Sequence, residues 1–148
     1  MTARDSAAPL EPGYVLAFDF GLRYIGVATG QTVTGSAGPL TVLTARDGRP
    51  DWQDVLTLIR EWQPVRLIVG LPLNMDGTEG PAAKKSRAMG QALQQRHGVP
   101  VEYQDERLTS FSAEADLAER KLNRRAKKNV ADAHAAAEIL RDWLTEQS

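Results

Sequence analysis

The chain has 148 residues, of which 42% are hydrophobic and 25% charged, a composition typical of one globular domain large enough to bury a core. The formal net charge of −1 excludes a protein that coats nucleic acid by bulk charge, and the lack of cysteine excludes disulfides, thiolate nucleophiles and cysteine-type zinc sites. No apolar stretch approaches the ~20 residues of a membrane helix, and the N-terminal residues hold no apolar signal core, so we expect a cytoplasmic protein without a membrane partner.

Hydrophobic periodicity divides the chain into a flexible tail at residues 1–12 and a single domain at residues 13–148. Apolar runs of strand length predict five strands, at 14–20, 24–29, 39–44, 65–70 and 99–105. Apolar residues at helical spacing predict four helices, near 51–62, 81–97, 110–120 and 130–145. In the first of these helices, Trp52, Leu56 and Ile59 should face the core.

The order of these elements indicates the fold class. Three strands with hairpin-like links come first, and helices then alternate with the remaining two strands, as they do in parallel α/β units. We therefore expect an α/β fold with a five-stranded mixed sheet and helices on both faces. Functional groups should gather where the parallel strands end.

Two acidic sites stand at strand ends. Asp19 ends a strand that is apolar on both sides, where a carboxylate is costly to bury unless its charge is compensated. Glu106 follows the fifth strand, directly after Asp105, and the two should point to opposite sides. The sequence alone does not decide which of the two shares an edge with Asp19.

A third acid, Asp132, heads a helical stripe that is otherwise core: Ala136, Ile139 and Trp143. Taken alone, Asp132 could simply stabilise the helix N-terminus behind an N-cap at Asn129, which is worth about 0.5–1 kcal/mol. Together with Asp19 and Glu106, it predicts a site for Mg²⁺ or Mn²⁺, which prefer carboxylate oxygens. Two such ions can activate a water and stabilise the leaving oxygen in phosphodiester cleavage.

Several basic and Gly-rich segments have two interpretations each. Two basic groups could contact phosphates or lie as solvated surface: Arg120, Lys121, Arg124, Arg125, Lys127 and Lys128 in one, and Lys84, Lys85 and Arg87 in the other. Arg23 could bind a phosphate or pair with an acid. The loop at 70–81 could hold a phosphate on its amides or act as a rigid connector. His134, roughly opposite Asp132 on the helix, is expected at the surface or in packing.

The motifs that carry the three acids and the loop are VLAFDFGLRYIGVA, LIVGLPLNMDGTEGP, VEYQDERLTS and DAHAAAEILRDWL. In order and spacing they resemble the YqgF/RuvX family, the Holliday-junction-resolvase-like proteins of bacteria, over residues 14–144. The resemblance implies a ribonuclease H-like fold and a divalent-metal nuclease with Asp19, Glu106 and Asp132 as its catalytic and metal-binding acids. It also implies one of two roles, the resolution of branched DNA or the maturation of the 5′ end of the 16S ribosomal RNA precursor.

Three positions depart from the family pattern without removing a carboxylate. Ala131 stands where an aliphatic residue usually precedes the last Asp, His134 where a hydrophobic residue is common, and Ser110 where the family has a second Thr. Ala131 and His134 both lie in the last predicted helix, so these two departures affect how that helix packs on the sheet.

We interpret the chain as a metal-dependent nuclease that selects structured nucleic acid by shape, because backbone contacts carry little sequence information. The residues expected to position the nucleic acid are Arg23, Arg107, Lys121, Arg124, Arg125, Lys127 and Lys128. A resolvase needs two symmetric cuts, which favours a homodimer.

Two rival hypotheses remain. One is an inactive ribonuclease H-like module that binds nucleic acid or a protein in ribosome assembly or transcription. The other is an actin-like ATPase, which uses a similar phosphate-binding hairpin but needs a second domain for which the chain has no room.

Overall fold

The structure, a computed structural model, describes residues 10–106 and 128–147. In these two ranges it forms six strands and three helices: β1 (Tyr14–Phe20), β2 (Tyr24–Gln31), β3 (Ala37–Arg46), β4 (Arg49–Pro50), α1 (Trp52–Trp62), β5 (Arg66–Leu71), α2 (Pro81–His97), β6 (Val101–Asp105) and α3 (Lys128–Gln147). The predicted helix near 110–120 lies outside the described residues. None of the helices in the described ranges combines the length and apolar character needed to cross a bilayer.

The strands form one mixed sheet in the order β4-β3-β2-β1-β5-β6. The first four strands pair antiparallel through short hairpin links. The strands β1, β5 and β6 run parallel to one another. Helix α1 leads from β4 into β5, and helix α2 connects β5 to β6. The predicted mixed α/β fold is therefore confirmed. The parallel strands β1, β5 and β6 all end at the same edge, which we call the carboxyl edge.

The predicted count of five strands is wrong because of the short strand β4. Its two residues pair with Ala45 and Arg46 of β3 across a turn in which Asp47 has φ 53° and Gly48 has φ 82°. A two-residue turn with two positive φ angles suits the twist of a tight hairpin. The two residues of β4 are too few to give a strand signal of their own in the sequence.

The two faces of the sheet carry separate hydrophobic cores. Successive residues of β1 point alternately into one core and the other. Val15 and Ala17 face α3, and they pack with a cluster on that helix: Ala136, Ala137, Ile139, Leu140, Trp143 and Leu144. Leu16 and Phe18 face α1 and α2 on the other side. The predicted core stripe of the last helix is thus confirmed.

The core face of α1 differs by one residue from the prediction. Val55 and Leu58 are the buried residues of this helix, with Trp52 and Ile59 packed beside them. Leu56 is only partly buried and is not part of that core. The predicted face and the observed buried face are adjacent on the helix, so the spacing of apolar residues alone did not distinguish between them.

The chain that enters β1 is fixed by the β2–β3 connection. Leu10 packs against the core beneath α3. The Thr32 hydroxyl donates to the carbonyl oxygen of Glu11 at 3.0 Å and accepts from the amide of Gly13 at 2.9 Å. The last residues of the predicted tail therefore contact the domain, and residues 1–9 lie outside the described ranges.

Candidate active site

Asp19 lies near the carboxyl end of β1, and strand alternation fixes its direction. Val15 and Ala17 face α3, so Asp19, two residues further on, faces α3 as well. It is partly buried. The neighbouring positions on the same face are Gly26 and Gly70. Gly26 of β2 is paired with Asp19, and Gly70 of β5 lies one step beyond the pairing of Phe18 with Val69.

Gly26 brings the α3 backbone down onto the sheet. A Cβ atom at Gly26 would lie 1.9 Å from the carbonyl oxygen of Asp132, so only glycine permits this approach. Side chains of paired residues on one face have their Cβ atoms about 4.5–5.5 Å apart. The backbone of Asp132 therefore passes directly beside the side chain of Asp19.

Asp132 lies one turn inside α3. The helix includes Lys128 and Asn129 and has no acidic residue in its first turn, so the alternative interpretation, in which Asn129 is the N-cap, does not hold. Stabilisation of the helix N-terminus falls off within the first turn and does not account for Asp132. Asp132 is partly buried at the head of the buried stripe that was expected.

Glu106, rather than Asp105, lies on the face of Asp19. A Cβ atom at Gly70 would be 2.8 Å from Oε2 of Glu106, so this carboxylate stands over the glycine beside Asp19. The amide of Glu106 donates to the carbonyl oxygen of Leu71 at 2.9 Å, which extends the β5–β6 pairing by one residue. Asp105 is exposed and, by alternation, points toward the opposite face.

The three acids thus surround a part of the sheet that two glycines leave without side chains. Their oxygen donors suit a hard divalent cation. The missing Cβ atoms let the Asp132 backbone and the Glu106 carboxylate come close to the sheet beside Asp19. Within the described ranges, however, no three Asp, Glu, His or Cys side chains already lie close enough together to hold a metal ion. Asp19, Glu106 and Asp132 would have to rotate toward one another to share an ion.

The predicted nucleic-acid-binding residues are only partly described. Arg23 is exposed in the β1–β2 turn at the carboxyl edge, and its carbonyl oxygen accepts from the amide of Ala45 at 2.7 Å. Lys128 is the first residue of α3. The others lie outside the described residues: Arg107, Lys121, Arg124, Arg125 and Lys127. His134 is exposed on α3, as expected.

The loop between β5 and α2 bonds mainly to itself. The amide of Asn74 donates to the carbonyl oxygen of Thr78 at 2.9 Å, and the amide of Gly77 donates to the carbonyl oxygen of Asn74 at 2.8 Å. The amide of Thr78 donates to the carboxylate of Asp76 at 3.0 Å. The Thr78 hydroxyl donates to Asp76 at 2.6 Å and accepts from the Asn74 side chain at 2.9 Å. These amides are already used, which favours the rigid connector over a phosphate-binding loop.

The second basic group divides into a structural residue and two exposed ones. Arg87 donates to Glu79 at 2.7 Å and lies over the ring of Tyr103, with its Cζ atom 4.9 Å from the ring centroid. The hydrogen bond from Arg87 lowers the pKa of Glu79, and the pKa of Arg87 is raised by the same bond. Lys84 and Lys85 are exposed on α2.

Sequence reasoning missed Gly26 and Gly70. Each is a glycine inside an apolar strand, in Tyr-Ile-Gly-Val-Ala and in Ile-Val-Gly-Leu, and such glycines often mark the close approach of another backbone or a ligand. That signal could have placed them at the site. It could not have told which element approaches them.

Comparison with solved structures identifies the fold class. RuvC from Thermus thermophilus has a TM-score of 0.50 and 16% identity, over 90% of this chain and 95% of that one. The resolvase of Fowlpox virus, solved with a Holliday junction, has a TM-score of 0.53 and 9% identity, over 88% and 98% of the two chains. The fold is therefore that of RuvC-type resolvases.

Comparison of sequences identifies the family. The family model "RuvX: Holliday junction resolvase" matches residues 13–146. A protein of Nitrosococcus oceani named "Putative pre-16S rRNA nuclease" is 50% identical over 97% of this chain and 93% of its own length. A protein of the same name from Yersinia pestis is 50% identical over 90% and 96% of the two chains. The chain belongs to the YqgF/RuvX family of Holliday-junction-resolvase-like nucleases.

Proposed function

We propose that this protein hydrolyses phosphodiester bonds in structured nucleic acid with Asp19, Glu106 and Asp132 as its catalytic and metal-binding acids. One observation carries the proposal. The two positions that flank Asp19 on its face of the sheet are glycines. A Cβ atom at Gly26 would strike the backbone of Asp132, and a Cβ atom at Gly70 would strike both Ile139 and the carboxylate of Glu106. The fold thus keeps the surroundings of Asp19 clear for the other two acids.

The proposed cofactor is Mg²⁺ or Mn²⁺. A divalent cation at such a site supplies charge stabilisation for the phosphoryl group and a more acidic water. The protein's part is to hold three oxygen donors on rigid elements, namely the ends of β1 and β6 and the second turn of α3. Partial burial of Asp19, Glu106 and Asp132 limits the water that competes for the same donors.

Two substrates have support. The relatives with 50% identity carry a name that refers to the 16S ribosomal RNA precursor, whereas the family description refers to Holliday junctions. We propose precursor 16S ribosomal RNA, cut near its 5′ end, as the first candidate and branched DNA as the second. In either case the protein would act in the cytoplasm, and resolution of a junction would require a homodimer because the two cuts are symmetric.

Nucleic acid would be positioned at the carboxyl edge by basic residues. Arg23 lies at this edge in the β1–β2 turn, and Lys128 opens the helix that carries Asp132. The basic residues that precede Lys128 in the chain are proposed to contact the backbone as well: Arg107, Lys121, Arg124, Arg125 and Lys127.

Glu106→Gln tests the proposal, with Asp105→Asn as the matched control. Both replace a carboxylate by an amide at adjacent positions, but only Glu106 faces Asp19. Several kcal/mol of charge stabilisation corresponds to a rate change of roughly a hundredfold or more, so Glu106→Gln should lose at least that much, whereas Asp105→Asn should stay within a few-fold of the wild type.

The measurement offers a four-way DNA junction, a linear duplex and a precursor 16S ribosomal RNA fragment to each protein, with Mg²⁺ or Mn²⁺, and follows both cleavage and binding. Lost cleavage with retained binding in Glu106→Gln supports the enzyme. Binding without cleavage by the wild type on every substrate would instead favour the inactive module. Equal losses in both variants would show that the second acid is wrongly assigned.

A further inference from the structure

A groove opens at the carboxyl edge on the face opposite Asp19. It has a volume of about 320 Å³ and lies between the β1–β2 turn and one side of α2. Its lining is mainly apolar: Phe20, Gly21, Leu22, Gly48, Pro81, Ala82, Lys85 and Met89. Leu22 is 60% exposed, so a large apolar side chain stands at its rim.

The groove begins at the residue after Asp19. Consecutive residues of a strand are about 3.4 Å apart and point to opposite faces, so Phe20 enters the groove while Asp19 faces α3. The Phe20 ring is stacked on the buried ring of Phe18, with centroids 5.8 Å apart and planes at 12°. This contact fixes the orientation of an aromatic ring that lines the groove.

The lining combines apolar surface with one cation. Lys85 is the only charged residue among the lining residues described, and it lies on α2 on the same side as Ala82 and Met89, at offsets of three and four residues. A nucleotide is complementary to this lining. Its base offers a flat face that can stack on an aromatic ring, and its phosphate, one sugar away, is an anion that can pair with a cation. A nucleotide that crosses the end of β1 can present its phosphate to Asp19 and its base to Phe20.

We propose that this groove receives one unstacked base of the substrate, next to the phosphodiester that is cut, with Lys85 at a neighbouring phosphate. The inference rests on the nuclease function proposed above and narrows its substrate class. The substrate carries an unpaired or extrudable nucleotide beside the cut, because a base inside a continuous helix cannot leave its stack without an energetic cost. A continuous duplex is then a poor substrate.

The test combines a substitution that fills the groove with substrates that lack one base. Ala82→Trp adds a large side chain to the exposed rim of the groove, and Ala88→Trp makes the same change at an exposed position of α2 that does not line it. The substrates are the four-way DNA junction and the precursor 16S ribosomal RNA fragment, each intact and with a single abasic nucleotide at successive positions around the cut. Thermal melting verifies that both variants fold.

We expect one abasic position to lower binding by wild-type protein about fivefold to a hundredfold, the range for the loss of one stacked base. Ala82→Trp should bind the intact substrate as weakly as the wild type binds the abasic one, and should lose nothing further with the abasic substrate. Ala88→Trp should behave as the wild type. Lys85→Ala should weaken binding more than Lys84→Ala, which removes the same charge from outside the groove.

The inference is overturned if every abasic substrate binds as well as the intact one, or if Ala82→Trp and Ala88→Trp bind the intact substrate equally well. It is also overturned if the abasic nucleotide lowers binding by Ala82→Trp as much as it lowers binding by the wild type. Equal losses of binding in Lys85→Ala and Lys84→Ala would overturn it as well. In those cases wild-type cleavage of the intact substrate still stands, and only the base site falls. Failure of the wild type to cut any substrate would contradict the proposed function and the base site together.

Discussion

At the scale of single residues, the site depends on two glycines, which have no side chain. Gly26 and Gly70 flank Asp19 on the face toward α3, and each is in contact with an element that carries another acid. Protein interiors are close-packed, so even one added methyl group at such a contact must displace something. At Gly26 the obstacle is backbone, which cannot rotate away as a flexible side chain can.

Gly26→Ala should therefore disrupt both stability and catalysis. The new Cβ atom would meet the Asp132 carbonyl oxygen at 1.9 Å and push α3 off the sheet. Overpacking of this kind costs about 1–3 kcal/mol in the free energy of unfolding. Because a displacement of about 1 Å in a catalytic group can cost ~100-fold in rate, cleavage should fall by at least that factor.

Urea unfolding and a cleavage assay measure the two effects of Gly26→Ala. Gly38→Ala is the matched control, since Gly38 is also a strand glycine and a Cβ atom there meets nothing within 4 Å. Similar losses in the two variants would mean that glycine in a strand matters here for reasons other than the approach of α3.

At the scale of elements, α3 is held at both ends by different means. Near its start, the helix backbone lies on Gly26. Near its end, the indole of Trp143 donates to Oε1 of Glu102 on β6 at 3.2 Å, and Oε2 of the same carboxylate accepts from Arg66 on β5. The Arg66 side chain is only 15% exposed, so Glu102 links the helix to a partly buried charge.

Glu102→Gln should weaken this second attachment. The amide keeps the shape of the side chain but removes the negative charge that pairs with Arg66. Hydrogen bonds to charged groups contribute about 1.5–3 kcal/mol, so we expect the free energy of unfolding to fall by roughly 1–3 kcal/mol. The cleavage rate should change less than tenfold, because Asp132 lies three helical turns from Trp143.

Chemical denaturation of Glu102→Gln is compared with that of Glu138→Gln, which makes the same change at an exposed position of α3. A stability loss no larger than that of the control would show that the cluster of Arg66, Glu102 and Trp143 does not fasten the helix.

Element by element, the sequence pattern predicted what is local and missed what depends on neighbours. All five longer strands and the three described helices were expected, because apolar periodicity is a local signal. The two-residue strand β4 was not, and the core face of α1 was displaced by one residue. The choice between Asp105 and Glu106 needed the register of β6 against β5, which no single segment encodes.

At the scale of the whole molecule, stability should depend on pH through His97, the last residue of α2. Its Nε2 atom is buried without a hydrogen-bond partner in the described structure. Burial lowers the pKa of His97 below its usual value of 6.5, and the charge of Arg96 lowers it further. The unfolded chain then binds this proton more tightly than the folded one. The contribution of neutral His97 to the free energy of unfolding is therefore fully present above pH 6.5 and is lost as the pH falls below it.

Thermal unfolding at pH 7.5 and pH 5.5 checks this expectation. His97→Gln should reduce the loss of melting temperature between the two values, because it removes the group whose proton affinity differs between the states. The only other histidine, His134, is exposed on α3, and His134→Gln should leave the difference as it is in the wild type. An unchanged pH dependence in His97→Gln would assign the effect to other groups.

The contact between Gly26 and Asp132 has a consequence for when activity can arise during synthesis. Asp19 and Glu106 leave the ribosome before α3, which is the last described element along the chain. If Asp132 completes the site as proposed, a nascent polypeptide cannot cut until α3 has emerged and settled on the glycine. Delayed onset of this kind would protect the transcripts around a translating ribosome from an unfinished nuclease.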